Sequence, residues 1–300
     1  MTTEIVDSRA EFVGFIGQGF IGKNYSNDFE NRGIAVVRYA LEEPYVQNKA
    51  KLKNCKIIFI AVPTPTTPDG FDDSIVRNAV GLVAPGTIVV IKSTLAVGAT
   101  ESIQKEYPDL FIMHSPEFLA EKTAAYDAAH PTRNIIGIPK DTVEYRQKAE
   151  QVLSILPASP FTLICAAKEA ELIKYAANCF LFTKVLYANL IADLAAANGV
   201  GWENIMKGIG TDPRIGPSHL RIMDTSGHPG AAQGRGAGGH CFIKDFAALR
   251  EMFERSLPND DKTLAILRAM EARNCQYLRE SKKDLDLLGE VYGVQFPEGS

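Results

Sequence analysis

Short apolar runs alternate with amphipathic stretches through the first half of the chain. Phe12–Ile16, Ile34–Tyr39, Lys56–Val62, Thr87–Ile91, Leu110–His114, Asn134–Ile138 and Phe161–Cys165 read as strands. Most are β-branched or aromatic, and several are apolar throughout, as strands covered on both faces are. Between them, Phe20–Asn31, Asp73–Val83, Thr100–Tyr107 and Asp141–Leu156 read as helices. This alternation predicts a parallel sheet wrapped by helices. At about Ala166 the pattern changes. An Ala- and Leu-rich helix is predicted from Lys168 to Asn198, with Gly199 as its C-cap. A second helical stretch spans Lys262 to about Leu288, and Asp212–Gly239 between them is rich in Gly and Pro and reads as loop. The expected organisation is a doubly wound α/β domain over residues 1–166 and an α-helical domain over 167–300, joined by the long helix.

Composition narrows the function classes. With 32 basic against 36 acidic side chains the net charge is −4, which argues against a nucleic-acid surface. The longest unbroken apolar run, Ile57–Pro63, is too short to cross a bilayer, so no membrane segment is expected. The first residues, MTTEIVDSRAEF, lack the basic and apolar regions of a secretory signal. Five cysteines (Cys55, Cys165, Cys179, Cys241 and Cys275) are odd in number and form no CxxC pair. That usage fits a reducing cytoplasm better than a disulfide framework, and no metal site is expected.

The first candidate chemistry is Gly17-Gln18-Gly19-Phe20-Ile21-Gly22, between the first strand and the first helix. Glycine there permits a tight turn, close approach of a pyrophosphate and a close helix–strand contact, and the helix N-terminus faces the phosphates. A Rossmann-like dinucleotide site follows. The second strand should end in an acid for the adenosine ribose, yet it reads Val36-Val37-Arg38-Tyr39-Ala40. Glu42 or Glu43 reaching back would suit NAD; Arg38 holding a 2′-phosphate would suit NADP. Arg38 as a plain solvated residue fits equally, so the two cofactors stay open.

Five further motifs follow in order: Val62-Pro63-Thr64-Pro65, Lys92-Ser93-Thr94, Ser115-Pro116-Glu117-Phe118-Leu119-Ala120-Glu121, Glu171 to Asn178 (ELIKYAAN), and Gly236 to Asp245 (GAGGHCFIKD). Together with the glycine loop they resemble the UDP-glucose/GDP-mannose dehydrogenase family of nucleotide-sugar dehydrogenases, over about Phe12 to Arg250. Taking a primary alcohol to a carboxylate removes two hydrides, and a thiolate can hold the intermediate aldehyde and then become a thioester. The resemblance gives that role to Cys241; the bland reading is a small buried core residue. Lys174 and Asn178, four apart on one helix face, would stabilise oxyanions. Their bland reading is a surface Lys174–Glu171 pair.

The resemblance also makes Glu117 the acid/base for water, Thr94 its partner, and Asp245 a group orienting the lysine or that water. Val62, Pro63, Thr64, Ser93, Thr94 and Glu121 would join Gly17, Gly19, Phe20, Ile21 and Gly22 at the cofactor. Phe118, Leu119, Gly238, Arg214 and Arg221 would join Glu117, Lys174 and Asn178 at the nucleotide sugar, the arginines matching phosphate. For Glu117 and Glu121 the alternative is a solvated helix face.

Two departures from the family pattern stand out. Ile222–Arg235 is longer than the usual connection before the cysteine, and Ala237 replaces an aromatic. The family's third domain, which binds the nucleotide, has no counterpart before Ser300; a shortened chain and a natural short form both fit. The resemblance implies a homodimer that oxidises a nucleotide sugar, UDP-glucose first among candidates. The competing readings are a one-step β-hydroxyacid dehydrogenase of the 6-phosphogluconate dehydrogenase type and a non-catalytic cofactor-binding module.

Overall fold

Hydrophobic strands of four or five residues assemble into one seven-stranded sheet in a computed structural model, which describes residues 13–228 and 230–293. Phe12, which the sequence places in the first strand, lies outside these residues. The strands are β1 (Val13–Ile16), β2 (Val36–Tyr39), β3 (Ile57–Ile60), β6 (Ile88–Ile91), β7 (Phe111–His114), β8 (Asn134–Ile138) and β9 (Thr162–Ala166), ordered β2-β1-β3-β6-β7-β8-β9. All seven runs read as strands in the sequence are strands here. One junction departs from a wholly parallel sheet: β8 meets β7 antiparallel, at His114↔Gly137. A two-residue-per-strand hairpin, β4 (Thr66–Thr67) and β5 (Gly70–Phe71), carries no apolar run; Pro68-Asp69-Gly70 signals its turn, but nothing signals its strands.

The alternation of side chains across each strand explains the two layers. Ile58 and Ile60 point into one apolar cluster, with Leu52 from a 3-10 segment (Val46–Asn54), Val76 and Val80 from α2 (Ser74–Val80) and Ile103 from α3 (Ala99–Glu106). Ile57 and Phe59 point into the other, with Phe29 from α1 (Phe20–Asn31), Ala128 from α4 (Ala124–Ala129) and Ala149 from α5 (Val143–Ile155). Phe15, Phe29 and Phe59 form its centre, with ring centroids 4.9–5.4 Å apart.

The chain divides into two compact units. The first is residues 1–64 and 72–174, so it takes in the opening turns of the long helix α6 (Ala167–Ala197). The second is residues 65–71 and 175–300. Its helices are the rest of α6, α7 (Trp202–Gly210), α8 (Gly239–Ser256), α9 (Asp261–Glu280) and α10 (Leu285–Tyr292). Phe182 of α6 stacks on Phe246 of α8 at 4.0 Å, and Tyr277 of α9 closes the same cluster.

Two expectations need correction. The stretch Lys262–Leu288 is two helices, broken where Lys282 and Asp284 take left-handed φ values of 55° and 54°. The loop expected over Asp212–Gly239 ends in the first residue of a helix, α8, whose first turn carries Cys241. By length and composition α6 is apolar enough to cross a membrane, which the longest unbroken run does not reveal; 44% of its most apolar window is buried inside the fold.

Candidate active site

In the first unit, Gly17 sits at φ 93°, and a Cβ there would lie 2.2 Å from Ala61 O. A Cβ on Gly22 would lie 2.0 Å from Gly17 O. Both glycines are therefore demanded by the turn itself. Gly19, N-cap of α1, is different: a Cβ added there would meet nothing within 4 Å, so its open side faces solvent. Together with the exposed N-terminus of α1, this leaves a cradle with space where a pyrophosphate would approach, so the residues present fit a dinucleotide. Phe20 is exposed and Ile21 half-buried beside it. The adjoining strand ends are tied together: Ser93 Oγ donates to Val62 O at 2.7 Å and accepts from Val62 N at 2.9 Å. Thr64 is buried and Pro63 exposed. Arg38 is committed locally, donating to Glu30 at 2.9 and 2.5 Å and to Asn27 at 2.8 Å.

Glu117, just past the end of β7, is buried at 5% exposure. A lone carboxylate there would be costly; the α6 lysine offsets it. Lys174 Nζ donates to Glu117 Oε1 at 2.8 Å and to Glu117 O at 2.7 Å, while Leu119 N donates to Oε2 at 2.8 Å. The stretch 115–121 is not helical, so Glu117 and Glu121 do not share a solvated helix face. Glu171 does not pair with Lys174 but caps α3, accepting from Gly98 N, Thr100 N and Thr100 Oγ1 at 2.5–2.8 Å. Burial raises its carboxyl above the usual range, against those donors. The Phe118 ring has the Arg133 guanidinium 3.7 Å and Lys174 Nζ 5.6 Å from its centroid. Leu119 and Glu121 are half-buried. No hydrogen bond joins Thr94 to Glu117 among the described residues.

The sequence pattern does not single out Lys92, although it lies inside one of the motifs. Its ammonium is 3% exposed, bonds Ser115 Oγ at 3.2 Å and Ser115 O at 3.5 Å, and stands 4.2 Å from the Tyr25 ring. Burial lowers its pKa to about 8, with the Glu117 carboxylate opposing and Lys174 assisting. A lysine directly after four apolar residues of a doubly covered strand is the signal that marks it. His114, at the end of β7, is held neutral by burial, with its pKa pushed down to about 3.

In the second unit, Cys241 occupies the first turn of α8 and is the exposed cysteine of the five, none of which is in a disulfide. Burial pushes Cys55, Cys165 and Cys275 up to about 11 and Cys179 further. A helix N-terminus favours negative charge, and so a thiolate. One turn further along α8, the buried Asp245 accepts from Asn178 Nδ2 at 2.6 Å and pairs with Lys244 at 2.5 Å. The glycines leading to Cys241 have a steric cause: a Cβ on Gly234 would lie 2.6 Å from Ser281 Oγ, and one on Gly238 2.0 Å from Asp284 Oδ2. Arg214 is exposed and folded back on Asp212 at 2.6 Å, and Arg221 is exposed. No cluster of three metal-ligating side chains occurs among the described residues.

A glycine cradle at a strand–helix turn, with a buried carboxylate–lysine pair at the same sheet edge, marks the first unit as dinucleotide-binding in architecture; the second unit is helical and carries an exposed thiol at a helix N-terminus. Comparison with known proteins specifies the family. Its NAD binding domain model matches residues 45–155 and its central domain model residues 168–275. The UDP-glucose 6-dehydrogenase of Pseudomonas aeruginosa is 32% identical over 80% of this chain and 52% of its own length. That of Rickettsia bellii is 33% identical over 83% of this chain and 58% of its own. The structure of a UDP-glucose dehydrogenase from Pyrobaculum islandicum superposes with TM-score 0.76 and 27% identity, covering 96% of this chain and 72% of that one. The chain belongs to the UDP-glucose/GDP-mannose dehydrogenase family. It spans about half the length of the curated relatives it matches.

Proposed function

We propose that this chain is a nucleotide-sugar 6-dehydrogenase that oxidises a hexose C6 alcohol to the carboxylate, with UDP-glucose as its substrate. The observation that carries this reading is Cys241, the exposed thiol among five, at the start of α8 within the family's motif. NAD, held by Gly17, Gly19 and the N-terminus of α1 with Val62 and Ser93 alongside, supplies the hydride acceptor when bound. The Glu30 and Asn27 bonds already made by Arg38 favour NAD over NADP.

The residues then divide the work. Lys174 stabilises the alkoxide while the first hydride leaves C6. The Cys241 thiolate adds to the resulting aldehyde carbon; loss of a second hydride leaves a thioester. Glu117 takes a proton from water as it attacks the thioester carbonyl, and the thiolate departs from the carboxylate product. Asn178, anchored by Asp245, offers its amide to the thiohemiacetal oxygen. Thr94, Glu121, Phe118, Leu119, Gly238, Arg214 and Arg221 complete the proposed contacts with cofactor and substrate. We also propose a homodimer formed on α6, where Phe180, Tyr187 and Leu194 leave 57–69% of their surface exposed at heptad spacing, and a cytoplasmic location, in keeping with five cysteines outside any disulfide.

The test is stoichiometry with trapping. Wild type with UDP-glucose and NAD should give two reduced cofactors per acid formed. Acid quenching and mass spectrometry should find the acyl adduct on the Cys241 peptide. Full two-step turnover by Cys241→Ser, or an adduct on Cys165, Cys179 or Cys275, would overturn the mechanism. NAD binding without affinity for any nucleotide sugar would overturn the enzymatic reading.

A further inference from the structure

The residues on either side of Glu117, Pro116 and Phe118, line a cavity of about 110 Å³ in the first unit, at the C-terminal ends of β6 and β7. That volume holds a few waters or one small ion, and falls well short of the roughly 300 Å³ that a nucleotide-sized ligand needs. Two cationic side chains form part of the wall, Lys92 just after β6 and Arg133 just before β8. Each is held against an aromatic ring. Lys92 Nζ lies 4.2 Å from the Tyr25 centroid and donates to Ser115 Oγ at 3.2 Å. The Arg133 guanidinium lies 3.7 Å from the Phe118 centroid. Tyr25 and Ser115 line the same space. A carboxylate, Asp127, is also on the wall, but it accepts from Ala120 N at 3.0 Å and from Thr123 Oγ1 at 2.7 Å, at the start of its own helix.

Arg133 Nε singles this cavity out. It is buried and meets no hydrogen-bond acceptor among the described residues. Buried N–H groups are nearly always paired, so one left open on the wall of a cavity points to an acceptor from outside the chain. Burial also penalises the charge on both cationic side chains, which a bound anion would relieve and a water would not. The Ser115 hydroxyl accepts from Lys92 and so keeps its own proton to donate. We infer that this cavity is a small-oxyanion site, which takes one inorganic phosphate, or an ion of the same shape, through Arg133, Lys92 and Ser115. Gly17–Gly22, Glu117 and Lys174 are not among the described residues that line it. The ion would therefore not occupy the cradle assigned to the dinucleotide.

Calorimetric titration of inorganic phosphate into the full chain, paired with hydrogen exchange read by mass spectrometry, tests this. One phosphate per chain is expected, bound more tightly than about 1 mM. Phosphate should slow exchange in peptides spanning residues 115–135, and sulfate should compete with it. Arg133→Met keeps an apolar side chain against Phe118 and should bind phosphate about tenfold or more weakly, the loss expected when a charged hydrogen-bond donor is removed. Lys92→Met should weaken binding in the same direction. Lys140→Met, an exposed site with the same change of charge, should bind as wild type does. The exchange footprint needs no variant, so it decides the matter even where a substitution impairs folding. No saturable binding would mean that the cavity holds water alone. Equal affinity in wild type and Arg133→Met, or binding only above about 10 mM, would mean an adventitious ion only. Protection of the Gly17–Gly22 peptide instead, with weakening by Gly19→Ala, would place the ion in the glycine cradle. Competition by ADP would mean that the phosphate of a larger molecule is read. Each of these outcomes overturns the inference without touching the catalytic proposal.

Discussion

Replacing Lys92 by methionine should change how the stability of the first unit depends on pH. Lys92 is 3% exposed, with a pKa lowered to about 8 from 10.5. The ordinary value applies once the chain unfolds. Between those pH values the unfolded state holds a proton that the folded state has released, so stability rises with pH across the window. The contribution is fully present above about 10.5 and is lost as pH falls to about 8. A displacement of that size corresponds to about 3 kcal/mol. Methionine fills similar volume and does not titrate, so the stability difference between wild type and Lys92→Met should change by about 3 kcal/mol from pH 7.5 to 10.5. Urea unfolding followed by far-UV circular dichroism measures it. Fluorescence of Trp202, the single tryptophan, reports the second unit and should be insensitive to the substitution. A difference that stays flat to within about 0.5 kcal/mol across the window would refute a desolvated ammonium at this position.

His114→Gln should remove an acid sensitivity. The folded-state pKa of His114 is near 3, so wild-type stability falls as pH drops below 6.5, by about 2 kcal/mol at pH 5, and urea midpoints should show a shallower decline in the variant. Gly238→Ala should destabilise the second unit by about 2 kcal/mol or more, read from Trp202, because its Cβ would meet the Asp284 carboxylate. Gly19→Ala should leave the unfolding midpoint within about 0.5 kcal/mol of wild type, since nothing lies within 4 Å of the new Cβ, while weakening NAD binding measured by calorimetry. Phe180→Glu should convert the proposed dimer to monomer in sedimentation at micromolar protein; an unchanged mass would remove α6 from the interface.

The sheet is legible in the sequence because its strands are short, apolar and regularly spaced, and burial on both faces leaves few other places for such runs. What stays hidden lies where local pattern carries little signal. The β4–β5 hairpin has two residues per strand, too few to show an alternation, and α7 is a short nine-residue helix. The break between α9 and α10 is made by Lys282 and Asp284 in left-handed conformations, which residue type alone does not announce. At the site, Glu117 and Lys174 are each visible as candidates, but their pairing is a contact over 57 positions that no spacing rule contains. Glu171 illustrates the converse. Three positions before Lys174 it invites a local pairing, yet the orphan amides at the start of α3 are better partners for a buried carboxylate.

The glycines before Cys241 show how a motif can carry two meanings at once. In sequence they suggest backbone that must approach a ligand, and Gly238 and Gly239 are indeed the N-terminus of α8. In the fold, Gly234 and Gly238 pass the α9–α10 turn too closely for a Cβ, and Gly236 passes α9 nearly as closely. Lys283 Nζ donates to Gly236 O at 3.1 Å, and Asn274 brackets Ala237 with bonds of 2.7 and 2.9 Å. Asp284 accepts from Gly239 N at 2.7 Å, from Ser226 Oγ, and meets His228 Nε2 at 3.0 Å. Ser226 and His228 are thus fastened to the same buried carboxylate that fixes the first amide of α8. The left-handed backbone of Asp284 costs about 1 kcal/mol or more, and these three partners offset it. Substituting Asp284 would release Ser226, His228 and the start of the thiol-bearing helix together, so the placement of Cys241 depends on a residue 43 positions away that no cysteine motif includes.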